Sequence, residues 1–339
     1  MRVFVTGHRG YIGVHLVDLL KQHGYSVTGC DLNLFSGCEW ENFAKPDHEL
    51  IKDIRDLTLS ELDGHDAILH LAAISNDPMG DLNTEITYSI NRYGSIDLAA
   101  KAKEAGIPRY LFSSSCSIYG KGEKLDLDEE SEFNPVSAYA VSKIETEKAV
   151  SRMADQNFSP VFLRNSTAYG HSPMLRIDLV VNNLLACAVA RGDIRIMSDG
   201  TPWRPLIHCR DIARAFIALM EAPKGIVHNQ SINIGANTEN YQVKDVADFV
   251  KKYVPKANIV FTGEVGADPR NYRVDFSKLN RLLPNFKLEY NLEKGIAELE
   301  QKFREHHFSI ADFESDQFVR LRTLKQRLHK LEEESVLSA

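Results

Sequence analysis

The chain has 339 residues, 43% of them hydrophobic and 26% charged, with a formal net charge of −7. That length suits two domains, or one large α/β body with an appended lobe. The acidic balance excludes an evident nucleic-acid partner, and no apolar stretch approaches the roughly 20 residues that span a bilayer, so no membrane partner is expected.

From residue 2 onward, short apolar runs alternate with longer stretches of helical period, the pattern of βαβ units and a parallel sheet. Strands are expected at Arg2 to Thr6, Ser26 to Cys30, Glu49 to Lys52, Ala67 to Leu71, Tyr110 to Ser113 and Pro160 to Leu163, and helices near Ile12 to Gln22, Thr84 to Ala105 and Ala138 to Asp155. Gly24 and Gly106 end two of these helices, as a left-handed C-cap prefers. After about Asn165 the alternation breaks, and His171-Ser-Pro-Met and Asp199-Gly-Thr-Pro-Trp-Arg-Pro read as loops of a second lobe. The expected division is a sheet domain over 1–165 with segments near 206–237 returning to it, a second lobe over 166–310, and a C-terminal amphipathic helix over 311–339. In that last segment Phe318, Leu321, Leu324, Leu328 and Leu331 recur at spacings of three and four. Five scattered cysteines, Cys30, Cys38, Cys116, Cys187 and Cys209, form no C-x-x-C pair and read as reduced thiols of a cytoplasmic protein.

Thr6-Gly7-His-Arg-Gly10-Tyr11-Ile12-Gly13 follows the first strand and opens the first helix. Its glycines permit a tight turn and let a pyrophosphate approach the amides at the helix N-terminus, where the partial positive charge favours it. Asp31 closes the second strand and is placed to accept hydrogen bonds from a ribose diol. Its charge repels a 2′-phosphate, and no Arg or Lys occurs from Leu32 through Cys38, so NAD is favoured over NADP. Asp53 and Ile54, and then Leu71, Ala72 and Ala73, fall at the carboxyl ends of strands, where ligands of open α/β sheets bind.

Tyr139 and Lys143 in Ser137-Ala-Tyr-Ala-Val-Ser-Lys143 share one helix face. A phenol titrates near pH 10, so bringing it to about 7 takes roughly 4 kcal/mol of preferential phenolate stabilisation, which a lysine ammonium one turn away is expected to supply. Ser115, in Leu111-Phe-Ser-Ser-Ser115-Cys116-Ser117-Ile-Tyr119-Gly120, adds a hydroxyl upstream. No histidine has metal-ligand spacing, so no metal is assigned.

Taken together, the glycine loop, Asp31, Asp53-Ile54, Ser115, Tyr139 and Lys143 resemble the extended short-chain dehydrogenase/reductase superfamily, in particular its nucleotide-sugar epimerases and dehydratases. The resemblance covers roughly residues 1 to 300. It implies a Rossmann-type doubly wound parallel sheet with a smaller α/β substrate-binding lobe, NAD as cofactor, a nucleotide-diphosphate sugar as substrate and a homodimer formed through the helices near 84–105 and 138–155. It also implies that Tyr139 is the general base or acid, that Lys143 lowers its pKa and binds the nicotinamide ribose, and that Ser115 hydrogen-bonds the reacting sugar oxygen. Asn91 matches an asparagine used near the active site. Arg204, Arg270 and Asn182 or Asn183 match substrate-binding positions, and Thr167 stands where many members carry an asparagine that touches the substrate pyrophosphate.

The expected chemistry starts with oxidation of a sugar hydroxyl to a keto-sugar, with the proton going to Tyr139 and the hydride to NAD. The 4,6-dehydratases of the family follow the serine-like position with Asp and Glu, where this chain has Cys116 and Ser117. That favours an epimerase, with epimerisation at C4 the commonest reaction of the kind. A dehydratase using Cys116 as acid or base, a dehydrogenase or reductase, and a non-catalytic NAD sensor are the alternatives.

Overall fold

The computed structural model describes residues 1–120, 126–263 and 270–337, with side chains described as far as residue 329. Residues 266–269 of the segment that carries Arg270, and the side chain of Leu331, lie outside the described set.

Strands β1 (Arg2–Thr6), β2 (Ser26–Asp31), β3 (His48–Ile51), β4 (Ala67–His70), β5 (Arg109–Ser115) and β6 (Ser159–Asn165) have the expected order. They form one parallel sheet that also takes in a later strand, Gln230–Ile234. Numbered in chain order, the strands after β6 are β7 (Thr167–Tyr169), β8 (Asp193–Ile196), β9 (Trp203–His208), β10 (Gln230–Ile234), β11 (Asn240–Gln242) and β12 (Asn258–Phe261). The sheet order is β10-β6-β5-β4-β1-β2-β3, so the winding reverses between β1 and β4. That reversal opens a crevice at the carboxyl ends of the strands.

The strands read as nearly continuous apolar runs because both faces are covered. Val3, Val5, Leu69, Leu111 and Leu163 pack on one face with Leu16 and Leu20 of helix Gly13–Gln22 and Phe216 of helix Cys209–Glu221. Phe4, Ile68, Tyr110, Phe112 and Phe162 pack on the other with Leu98, Ala99 and Ala102 of helix Ser95–Glu104. Each such side chain is worth about 1.5–3 kcal/mol on full burial. Helix Cys209–Glu221 lies against helix Gly13–Gln22, and Leu279 joins the same core from beyond residue 237.

The second lobe has a three-stranded sheet, β11-β9-β7, and a two-stranded one, β12-β8. Helices Val180–Arg191, Val243–Tyr253 and Leu292–Glu305 enclose its core around Leu185, Ile194, Val250, Ile296 and Phe303.

Two expected helices differ from the sequence reading. The stretch from Thr84 divides into helix Thr84–Thr87, a π-helical segment Tyr88–Gly94 and helix Ser95–Glu104. At the C-terminus, Phe318 precedes helix Arg320–Leu337 and is buried in the second-lobe core, so it does not belong to the helical stripe.

Candidate functional site

The crevice is a cavity of about 620 Å³, within the usual range for ligand pockets. At one end lies the glycine loop. Gly7 has φ +72°, and a Cβ there would come 2.7 Å from the Ala72 amide nitrogen, while one at Gly13 would come 2.1 Å from the Gly7 carbonyl. Only glycine lets the loop close so tightly against β4 and the first helical turn. That turn carries no acidic residue, which leaves its amides and its dipole available to an anion.

The Asp31 carboxylate accepts from the backbone amides of Asn33 (2.8 Å) and Arg9 (3.1 Å). The sequence window after β2 has no cation, but the fold brings Arg9 there, with its guanidinium bidentate on Glu49 (2.8 and 2.7 Å). Arg9 foremost, and His8 with it, hold the Glu49 carboxylate down to about 2. Glu49 thus neutralises the cation that would otherwise suit a 2′-phosphate.

Asp53 lines the cavity, with its carboxylate bidentate on Arg55, which holds its pKa low. Ile54, Leu71, Ala72 and Ala73 also line it. Thr6 Oγ receives the amides of Leu71 (3.2 Å) and Ala72 (3.1 Å), which places this edge of β4.

Asn91, expected near the active site, is not among the residues that line the cavity. It is buried behind the cavity wall, accepting from the Ile74 amide at 2.8 Å and donating to the Ile74 carbonyl at 3.0 Å. It therefore pins the loop that follows Ala73.

Ser115, Tyr139 and Lys143 meet in the middle of the cavity. Ser115 ends β5 and caps the next 3₁₀ turn, accepting from the Ser117 amide at 3.1 Å, and it shares the cavity wall with Tyr139. Ser137 caps helix Ala138–Ser151, which delivers Tyr139 and Lys143 one turn apart. The Lys143 ammonium is almost fully buried and donates to the Ser113 carbonyl at 2.6 Å. Burial lowers its pKa to about 7, with Glu147 opposing.

The expected depression of Tyr139 is not what the protein's own groups produce. Burial first, and then the Asp77 carboxylate, push the phenol up to about 12, while Ser115, Arg176 and Arg270 pull the other way. Tyr139 is therefore a phenol at neutral pH.

Cys116 lies away from the cavity. Its side chain is fully buried and absent from the cavity wall, and its thiol donates to the Arg164 carbonyl at 3.2 Å. Burial pushes the thiol pKa up, so it stays protonated and out of reach of the cavity. Ser117, the next residue, does face the cavity.

Of the expected substrate positions, Thr167, Asn183, Arg204 and Arg270 line the cavity and Asn182 does not. Asn182 is buried, accepting from the Gly170 amide and donating towards Tyr11 and the carbonyls of Gly170 and Arg176, and so cross-links these segments. Tyr11 donates to the same Gly170 carbonyl at 2.6 Å and so ties the glycine loop to the second lobe.

Sequence reasoning missed Asp77 and Arg176. Asp77 pairs with Arg270 at 2.7 Å and hydrogen-bonds Ser137, and Arg270 also reaches Ser117 at 3.1 Å. Arg176 is bidentate on Asp178, both contacts at 2.9 Å. The capping run Asn76-Asp-Pro was a signal for a helix start at Asp77; Arg176 lies in no motif. Two buried polar atoms on the wall, Ser114 Oγ and Asn165 Oδ1, have no protein partner, as expected of groups that face a polar ligand. Among the described residues no group of three His, Cys, Asp or Glu side chains could hold a metal ion.

The reversed parallel sheet, the glycine loop, Asp31 and the Ser-Tyr-Lys centre define an extended short-chain dehydrogenase/reductase with a dinucleotide site. The chain belongs to the NAD dependent epimerase/dehydratase family, whose model matches residues 3–235. The chain is 28% identical to a UDP-glucuronic acid decarboxylase 1 of Arabidopsis thaliana, over 90% of this chain and 70% of that one. It is 29% identical to a putative UDP-glucose 4-epimerase of Methanocaldococcus jannaschii, over 87% and 95%. Among solved structures it resembles a UDP-N-acetylglucosamine 4-epimerase from Methanobrevibacter ruminantium in complex with UDP-N-acetylmuramic acid, with TM-score 0.78 and 26% identity over 90% and 98% of the two chains. It is therefore an NAD-dependent enzyme of the nucleotide-sugar epimerase, decarboxylase and dehydratase family.

Proposed function

We propose that this chain is a nucleotide-sugar 4-epimerase. The observation that carries the reading is the pairing of Ser115 and Tyr139 on the cavity wall with Cys116 sealed behind it, so the position after the serine offers no second acid or base for loss of water. Two further contacts favour a neutral hexose over a uronate. Arg176 and Arg270, the cations that act on Tyr139, are already paired with Asp178 and Asp77.

NAD, which the glycine loop and Asp31 would hold, would supply the hydride acceptor and donor for the sugar carbon. The chain's own groups handle the proton and the pose. Tyr139, a phenol at pH 7, can deliver its proton to the oxygen of a keto-sugar, and the charges of Arg176 and Arg270 favour its phenolate for the opposite transfer. Ser115 hydrogen-bonds the same oxygen from β5. Asn183, Thr167, Arg204 and Arg270 are the proposed contacts for the remainder of the substrate.

The test is product NMR with a panel of UDP-, GDP-, dTDP- and CDP-hexoses. An inverted C4 centre is expected, and Tyr139→Phe lowers turnover by roughly 10²–10⁴-fold while retaining NAD. A 6-deoxy-4-keto sugar, an alkene or a pentose product would overturn the epimerase reading. Full activity in NAD-free protein would overturn the mechanism.

A homodimer in the cytoplasm belongs to the same proposal. Ile86 and Tyr93, seven residues apart on the segment expected to form the interface, are 47% and 59% exposed, as a partnered face requires. Light scattering at the monomer mass would overturn the dimer.

A further inference from the structure

Beyond residue 235, where the family model ends, the C-terminal segment returns to the cavity. Val319, Arg320 and Leu321 form part of the cavity wall. The segment is fastened on both sides. The Ile177 amide donates to the Phe318 carbonyl (2.9 Å) on the second-lobe side, and Gln317 reaches the Glu39 carbonyl (3.2 Å) on the side that follows β2. Arg327 further secures it by donating to the Ser36 carbonyl.

Arg320 is the unusual member. It is 3% exposed, yet its hydrogen bonds go to two backbone carbonyls, of Met174 (3.1 Å) and Gln317 (3.2 Å), and no ion pair of the described residues includes it. Its guanidinium lies over the Phe35 ring, 4.8 Å from the centroid. Burial, and then the neighbouring charge of Arg176, lower its pKa, and the weaker opposing pulls of Cys38, Asp178 and Glu39 do not offset them. A buried cation beside a second cation needs an anion to offset its desolvation. Two other arginines of the cavity wall meet a carboxylate, Arg176 in Asp178 and Arg270 in Asp77.

The position of Arg320 identifies the anion. Phe35 lies four residues after Asp31, in the loop beside the ribose-binding carboxylate. Met174 packs with Val14 of the first helical turn in a small apolar cluster that also holds Cys38 and Phe35. The guanidinium thus stands between the Asp31 side of the cavity and the helix N-terminus. We propose that Arg320 binds the diphosphate of NAD, and that the C-terminal segment is a clamp that closes over the cofactor. A guanidinium suits this task because its fork matches two phosphate oxygens.

The proposal rests on the dinucleotide site and not on which sugar reaction follows. The test is calorimetric binding of adenosine, ADP, NAD and UDP to the full-length chain and to Arg320→Gln, Arg320→Lys and Arg327→Ala. Arg320→Gln is expected to weaken ADP and NAD about tenfold or more, with adenosine and UDP unchanged and Arg320→Lys intermediate. Arg327→Ala loosens the same segment away from the cavity and is expected to keep the wild-type ratio of ADP to adenosine affinity. Unchanged ADP binding in Arg320→Gln would overturn the assignment. So would a loss for UDP without one for ADP, which would place Arg320 on the substrate diphosphate, or an equal loss for adenosine, which would make its role purely structural. Wild-type protein that binds UDP but neither adenosine nor ADP would instead overturn the dinucleotide reading of the site.

Discussion

The Lys143 ammonium lies 5.5 Å from the centre of the Tyr139 ring but donates to the Ser113 carbonyl at 2.6 Å. The lysine thus faces the phenol ring while its hydrogen bond goes to the backbone of β5. Its burial lowers its own pKa, and the tyrosine is biased instead by Asp77 on one side and by Arg176 and Arg270 on the other.

That relationship predicts a pH-dependent stability. With a folded pKa of about 7 against an unfolded value near 10.4, Lys143 binds fewer protons in the folded chain over that window. Stability then rises with pH from about 7 to about 10, because the unfolded chain binds more protons and folding releases one. Lys143→Met, measured by urea unfolding, should gain on the order of 3–5 kcal/mol relative to wild type near pH 6, and the gain should vanish above pH 10. Parallel profiles for the two proteins would refute the buried, weakly basic lysine.

Cys116→Ala should keep turnover within about threefold and cost roughly 1 kcal/mol of stability, since one buried thiol hydrogen bond is lost and no reacting group is removed. Activity assays and thermal melts check both. A folded but inactive variant would restore the thiol as an acid.

Asn91→Ala leaves both the amide and the carbonyl of Ile74 without their side-chain partner, a cost of about 2–4 kcal/mol. NAD should be retained less well, because the loop behind Ala73 is freed. Wild-type melting and NAD content together would show that Asn91 does not hold this loop.

Asp31→Asn combined with Glu49→Gln should shift the NAD-to-NADP affinity ratio about tenfold or more towards NADP. The first change removes the repulsive carboxylate and the second releases the Arg9 guanidinium beside it. Fluorescence titration with both dinucleotides measures the ratio, and an unchanged ratio would remove Arg9 and Glu49 from cofactor choice.

Much of the cofactor side was legible in the sequence because its groups are local. The glycine loop needs only a strand, a turn and a helix start, all within Arg2 to Gln22. Tyr139 and Lys143 are placed by helix spacing alone. Strands β1 to β6 could be read to within two residues at each end, since two covered faces require apolar runs. The π-helical Tyr88–Gly94 was not legible, as its composition is that of an ordinary helix.

The polar side of the cavity was beyond the reach of sequence patterns. Arg270 meets Asp77 across 193 residues of chain, and Arg320 reaches the Met174 carbonyl across 146. No periodicity encodes such pairs. Asn182 and Asn183 are adjacent and identical in type, yet helix geometry turns one into the interior and the other to the cavity.

By itself the sequence determined the parallel sheet, the dinucleotide loop and the Ser-Tyr-Lys set, because short-range spacing and strand-end position are enough to specify them. Only the tertiary structure decided that Cys116 is sealed and that the charges biasing Tyr139 come from Asp77, Arg176 and Arg270. Burial and through-space charge set those properties, and both depend on which distant segments the fold brings together.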